Sequence, residues 1–350
     1  MKNNNKRNKM NNIKKIGLSA LAGSLAMVSA HAVEYTMTGG LMTTFTTEKG
    51  AGSAANGGKG FGSATDLGFN ASGELDNGYT VSYFMSVDTD AALANTSSQM
   101  KLGMGSLGSL HLNNKAGSKA NAIDDITPHA YNETWDGLAP DNISFFGSET
   151  LSGSIDYRIP AQEYMGTTVN ASVTYDPNSG VGSSTKGGVG TSSISGVAYT
   201  LQVAHESGIE FGAGIETLDD DQALLGGGAD NTENTTGYIK YSFEGVSAAI
   251  QRSYSDARTG TSVNGADKQA DYMSIAYTAG DMSFSYAEAE QETKAVIQTA
   301  ALATIEQSSL QAAYTMGAMT ISAATSETKN AGGIAAAKHK ENTLAVSFAF

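Results

Sequence analysis

Residues 344–350, Leu344-Ala345-Val346-Ser347-Phe348-Ala349-Phe350, alternate without a break between large apolar and small side chains and close on an aromatic. A period of two belongs to a β-strand whose two faces meet different surroundings. The pattern recurs upstream. Tyr79, Val81, Tyr83, Met85 and Val87 share one parity, as do Val169, Ala171, Val173 and Tyr175, and Met282, Phe284 and Tyr286 alternate with Ser283, Ser285 and Ala287. Beyond the first thirty residues no apolar series keeps a 3.6-residue period for more than a turn or two, so the chain reads as all-β.

Alternation alone does not separate a soluble sandwich from a membrane barrel, because both have one greasy and one wet face. The connections do. Seven very short turns are each followed by a fresh alternating run: Asp76-Asn77-Gly78, Ser106-Leu107-Gly108, 161–166, Glu206-Ser207-Gly208, Glu244-Gly245, Ala279-Gly280-Asp281 and Met316-Gly317. Between them lie longer polar stretches at 48–61, 176–192, 218–236, 255–270, 289–307 and 326–342. Short turns at one rim and long loops at the other are the layout of an outer-membrane barrel. Seven short turns with both termini at the same rim give eight long-looped hairpins, hence a 16-stranded antiparallel transmembrane β-barrel. Tilted strands of about 10 residues suffice to cross a bilayer.

The first 32 residues read as a secretory signal peptide. Six basic residues, Lys2, Lys6, Arg7, Lys9, Lys14 and Lys15, precede an apolar run from Ile16 to Val28, and Ala30-His31-Ala32 is an A-x-A cleavage site. Export with cleavage after Ala32 is expected, leaving 33–350 as the barrel domain. Removing six basic and no acidic residues leaves 15 basic against 35 acidic, a net charge of −20. So acidic a chain is a poor partner for nucleic acid, which demands basic patches. With no cysteine there is neither a disulfide framework nor a thiolate metal site, and no cofactor is indicated.

Tyr35, Tyr79, Tyr157, Tyr199, Tyr277, Tyr314, Phe348 and Phe350 share the apolar parity and are expected in the aromatic girdle at the short-turn rim.

On these features the chain resembles the Gram-negative general-diffusion porin family across residues 33–350. The signal ending, the first strand Val33-Glu34-Tyr35-Thr36-Met37-Thr38-Gly39, the hairpin around Met316-Gly317 and the terminal aromatic strand carry the resemblance. It implies a homotrimer in outer-membrane lipid and an assembly signal at Phe348 and Phe350 for the outer-membrane barrel assembly machinery. It also implies a third loop folded into the lumen. That loop would be 116–150, with Asp124, Asp125, Glu133, Asp136, Asp141 and Glu149 as the acidic side of a constriction and the sole tryptophan, Trp135. Lys101, His111 and Arg158 each lie between outward apolar neighbours, and Lys115 continues the parity of His111. These four are the expected basic wall, thinner than the family pattern because only three arginines follow the signal.

Other motifs carry less. Gly103-Met104-Gly105-Ser106-Leu107-Gly108 matches G-x-G-x-x-G but is followed by the strand-like Ser109-Leu110-His111-Leu112 rather than a helix. A nucleophilic triad has no local sequence support, His129 near Asp124 and Asp125 being the nearest thing to an acid–base centre, so no enzyme is expected. Acidic clusters at Asp219-Asp220-Asp221 and 230–233 lack EF-hand spacing. The expected function is therefore passive diffusion of ions and small hydrophilic solutes, with weak cation selectivity. The competing readings are a solute-specific channel of the same fold and a structural or adhesive barrel with no open pore.

Overall fold

The computed structural model describes residues 33–50, 57–88, 94–134, 143, 146–147, 153–179, 194–220, 232–257, 266–295 and 302–350; the signal segment lies outside them. Its strands are β1 (Glu34–Gly50), β2 (Gly58–Glu74), β3 (Thr80–Asp88), β4 (Ala94–Gly103), β5 (Ser109–Asn114), β6 (Ile155–Arg158), β7 (Gln162–Tyr164), β8 (Thr167–Ser179) and β9 (Ile194–His205). They continue as β10 (Ile209–Asp220), β11 (Thr232–Phe243), β12 (Val246–Ala257), β13 (Ala266–Ala279), β14 (Met282–Ala295), β15 (Ile305–Met316), β16 (Met319–Lys329) and β17 (Lys338–Ala349).

The strands pair antiparallel with their neighbours round the ring, and β17 returns to β1 with Leu344 opposite Phe45 and Phe348 opposite Leu41. The sheet is closed. β6 and β7 form a single stave, since both pair with β8 and Pro160 between them has no N–H for the ladder. Seventeen segments thus make sixteen staves.

The two faces of the wall follow the sequence parity. Leu344 is 50% exposed to the outside, whereas its neighbour Ala345, pointing inward, is 2% exposed. Met273, Ile275, Tyr277, Met282, Phe284 and Tyr286 form part of a continuous outward apolar belt. Its edge on the long-loop side is marked by outward ion pairs: Arg252 with Asp271 at 2.5 Å, Lys329 with Glu306 at 2.8 Å and Lys340 with Glu327 at 2.6 Å. No helix among the described residues is long and apolar enough to cross a membrane; the strands supply the crossing surface.

Each of the seven short turns carries a glycine at positive φ, from Gly280 at 57° to Gly208 at 90°. At Gly208 the turn also brings the backbone onto its neighbour, where a Cβ would sit 1.9 Å from the Ser242 carbonyl oxygen. The turn expected at 161–166 is narrower than its sequence suggests. Residues 162–164 pair with β8, leaving Met165 and Gly166 to reverse the chain.

The polar stretches also prove to be less loop than expected. β1 and β2 pair up to Glu48 opposite Gly58, β8 runs to Ser179, β14 to Ala295 and β16 to Lys329. Beyond the bilayer both faces of a strand meet water, so hydrophobic alternation vanishes while backbone pairing continues. Of the girdle residues, Tyr157, Tyr277, Tyr314 and Phe348 lie close to short turns or termini, and the Tyr157 hydroxyl donates to the Leu107 carbonyl at 2.6 Å. Tyr199 does not belong with them. It sits halfway along β9, opposite Ile215 and Val173, where its ring fills the middle of the belt. Tyr241 and Phe243, stacked with centroids 6.5 Å apart beside the Glu244-Gly245 turn, take such a place instead.

The face assignment predicts that Leu344→Arg costs about 2–4 kcal/mol of folding stability in lipid, the usual penalty for a cation on the lipid face near the midplane. Ser82→Arg, on the lumenal face, should cost far less. The fraction of heat-modifiable folded barrel in lipid vesicles against urea measures both, and equal losses would mean that the faces are reversed.

Candidate functional site

Residues 116–134, 143 and 146–147, the described parts of the longest connection, lie inside the barrel. Asp156 on β6, 0% exposed, fastens the start: its carboxylate accepts from the Lys119 N–H at 3.0 Å, Arg158 Nε at 2.9 Å and the Thr174 hydroxyl at 3.1 Å. Burial first, and then the Arg158 guanidinium, pushes the Lys119 ammonium pKa below its usual value.

From there the loop crosses the inner wall on a series of polar clips. Gln251 on β12 accepts the Ile126 N–H at 2.8 Å and donates to the carbonyls of Ile123 and Asp124 at 2.9 and 3.1 Å. Ser274 on β13 donates to the Pro128 carbonyl at 2.8 Å, and Ser285 on β14 accepts from the Ala130 N–H at 2.9 Å. Gln311 on β15 accepts the Tyr131 and Asn132 N–H groups at 2.8 and 3.2 Å and returns a 2.6 Å bond to the Asn132 carbonyl. On the way back the Tyr272 hydroxyl donates to the Ile143 carbonyl at 3.1 Å, and Glu216 accepts the Gly147 N–H at 3.1 Å.

Two small apolar clusters form beneath the loop. Ile123, Phe146 and Ala120 pack with Ala198 and Tyr238, and Ile143 packs with Ala270, Tyr272, Ala289 and Ile305. Gly214 on β10 makes the first possible, since a Cβ there would lie 2.4 Å from the Phe146 ring.

Among the described residues the clips run from β6 round to β15, and two cavities lie along the wall of β17 and β1 to β4. Tyr131 reaches that wall at one point, its hydroxyl meeting Met42 Sδ on β1 at 3.7 Å. Toward the long-loop rim lies a cavity of about 690 Å³ bounded by Thr44, Thr46, Glu48, Gly60, Asn132 and Glu341. Toward the short-turn rim a smaller one, about 250 Å³, is bounded by Glu34, Thr36, Asn70, Ser82, Gln99 and Lys101.

Of the six acidic loop positions, Asp124, Asp125 and Glu133 lie within electrostatic reach of Tyr272 on β13. Asp125 Oδ1 accepts both the N–H and the hydroxyl of Thr127 at 2.6 Å. Asp136, Asp141, Glu149 and Trp135 lie outside the described residues, as do most of the acidic clusters at 219–221 and 230–233.

The four basic positions are on staves almost diametrically opposite β13. Lys101 reaches the lumen, exposed, beside the smaller cavity. Arg158 is engaged by Asp156. His111, 3% exposed, has both ring nitrogens in the wall network, Nε2 with the Ser109 hydroxyl at 2.9 Å and Nδ1 with Gln99 Oε1 at 3.0 Å. Lys115 leaves the strand parity at φ 60° and is exposed. His129 touches the Thr127 carbonyl at 3.3 Å through Nδ1.

Sequence reasoning did not find the clips themselves: Asp156, Glu216, Gln251, Tyr272 and Gln311. A signal existed in the long amide and carboxylate side chains at inward parity on β10, β12 and β15, where serine or threonine would have served a simple wet wall.

The fold matches known structures. OmpT of Vibrio cholerae lacking its loop L8 superposes with a TM-score of 0.62 at 12% identity, covering 91% of this chain and all of that one. Salmonella typhi OmpF in complex with daunomycin gives 0.61 at 15% identity over 90% of this chain and 97% of that one. The outer membrane channel DcaP of Acinetobacter baumannii gives 0.57 at 12% identity over 91% and 98%. No protein-family model matches the sequence, and no curated protein matches it. At these identities the likeness establishes the porin fold.

The docking geometry predicts that Gln311→Ala frees the tip of the loop without unfolding the barrel. Gln311 makes three hydrogen bonds to the loop, each worth about 0.5–1.5 kcal/mol, so the cleavage rate of 116–150 by a protease should rise about tenfold or more. Unchanged cleavage with an intact barrel would remove Gln311 from the docking role.

Proposed function

We propose that the chain is an outer-membrane porin: a water-filled channel through which ions and small hydrophilic solutes diffuse down their gradients, with weak preference for cations. The observation that supports this best is the division of the lumen among the described residues, in which the loop is held against the wall from β6 round to β15 while polar-lined cavities remain along β17 and β1 to β4. Cavities of that size beside the loop speak against a plugged adhesive barrel. The mechanism is sieving by the gap beside the loop together with an electrostatic bias from lining charges. Asp124, Asp125 and Glu133, joined by Asp136, Asp141 and Glu149, would form the negative side of the constriction. Lys101, with His111, Lys115 and Arg158, would form the weaker positive side. The pairing of Arg158 with Asp156 leaves that side too thin to reverse the sign.

In the cell the chain would be exported by its signal, cleaved after Ala32 and assembled in outer-membrane lipid as a homotrimer. The barrel assembly machinery would recognise Phe348 and Phe350. Phe350 is paired with Gly39 in both directions, N–H to carbonyl at 2.9 and 2.7 Å, and its ring stays 70% exposed.

Reversal potentials in a KCl gradient should show cation preference that fades as salt rises, because the screening length shrinks from about 10 Å at 0.1 M to about 3 Å at 1 M. Asp124→Asn with Asp125→Asn should lower that preference; anion preference in the wild type would refute the charge argument.

Removing Phe350 should depress the yield of folded barrel in the outer membrane well before it changes the conductance of channels that do form. Normal yield from the truncated gene would count against an assembly role.

A further inference from the structure

Glu48 on β1 and Glu341 on β17 are direct cross-strand partners, and both point into the lumen at the rim of the larger cavity. Carboxylates placed opposite each other repel, and such a pair is stabilised by whatever cation comes between or beside them. His339 Nε2 lies 3.3 Å from Glu48 Oε1 on one flank. On the other flank Glu341 Oε1 accepts from the Thr343 hydroxyl at 2.8 Å. Across the cavity Gly58 and Gly60 of β2 have nothing within 4 Å of where a Cβ would be, so the wall there is bare backbone facing free space. Among the described loop residues, Tyr131 and Asn132 bound the same cavity.

The wall on this side as a whole has the same sign. Away from the turns, the inward positions of β16, β17 and β1 to β5 carry Glu34, Glu48, Asp66, Asp88 and Glu341, against Lys101, the hydrogen-bonded His111 and His339 beside Glu48 among the described residues, with Lys59 at the edge of the larger cavity. The carboxylates Asp124 and Asp125, by contrast, sit on the loop where it lies against β12 and β13. Field strength falls with distance and with intervening water, so charges lining the route outweigh equal charges set back from it.

We infer that solutes pass along the glycine-lined wall of β1, β2 and β17, between it and the tip formed by Tyr131 and Asn132, and that Glu48 and Glu341 are the principal cation-selecting residues at the outer mouth. This rests on the pore reading and deepens it by naming the route and the preferred charge of the solute: small inorganic and organic cations.

The absence of cysteine in the chain allows a direct test on channels already formed in a planar bilayer. Gly60→Cys puts a thiol in the open space. Ser253→Cys puts one behind the loop, at a position 1% exposed. A cationic methanethiosulfonate reagent should cut the conductance of the first by roughly half and leave the second unchanged, since only the first thiol lies on the path. In the uncysteinylated chain, Glu48→Gln with Glu341→Gln should lower the cation-to-anion permeability ratio at 0.1 M KCl about twofold or more, a larger effect than Asp124→Asn with Asp125→Asn. A conducting channel indifferent to the reagent at Gly60→Cys, or with the larger effect at Asp124 and Asp125, overturns the route and its selecting residues. A wild-type barrel that conducts nothing overturns the pore reading itself.

Discussion

A strand in hydrocarbon has no water to satisfy its N–H and C=O groups, and each one left unpaired costs several kcal/mol. The register of β17 against β1, from Ala349 opposite Gly40 to His339 opposite Gly50, is therefore the pairing on which the rest depends. Without it the sheet would present two edges to lipid. With it every stave has two neighbours, the outer face can be purely apolar, and the inner face is free to be wet. The terminal contact of Phe350 with Gly39 extends the seam to the end of the chain, and Gly39 has no side chain because that ring occupies the place of one.

Closure creates a second problem, which the loop solves. A sixteen-stave ring has more interior than side chains can fill, and an apolar core would abolish a channel. Half of the wall is accordingly built to hold the loop, with Asp156, Glu216, Gln251, Tyr272 and Gln311 reaching its backbone. Around the larger cavity the wall is instead short of side chain at Gly58, Gly60, Gly62 and Thr44. The asymmetry of side-chain length around the ring, rather than the loop alone, sets where the open space lies.

How much of this could be read from the sequence follows from what each environment demands. Lipid tolerates one kind of side chain, so the outward parity of Leu344, Val346 and Phe348 was plain, and a two-residue reversal needs a glycine at positive φ, so the seven turns were plain too. Water demands nothing in particular. For that reason the paired strand ends around Lys49, Gly58 and Lys329 looked like loop, and Tyr199 could not be placed along its strand from parity alone. The length and acidity of 116–150 stood out in the sequence, but its docking partners did not. A glutamine at inward parity reads the same whether it faces solvent or a backbone amide.

That ambiguity has an energetic counterpart. In a dry interior, a carboxylate such as Glu216 stripped of its partners would bear the full desolvation penalty, and the contact would be correspondingly firm. Inside a wet barrel, water can replace a departing loop amide at Gln251 or Gln311, so each clip contributes only the net value of about 0.5–1.5 kcal/mol. One clip could not order the loop against its conformational entropy, about 1–2 kcal/mol per residue for the backbone alone. The structure answers with many: hydrogen bonds to β6, β10 and β12 to β15, and two apolar clusters in which Ile123, Ile143 and Phe146 are fully buried. Among the described residues, these apolar contacts are the part of the docking that water cannot replace. The firmest hold on the loop is therefore expected at Phe146 over Gly214, and the weakest near Tyr131, where the loop borders the larger cavity.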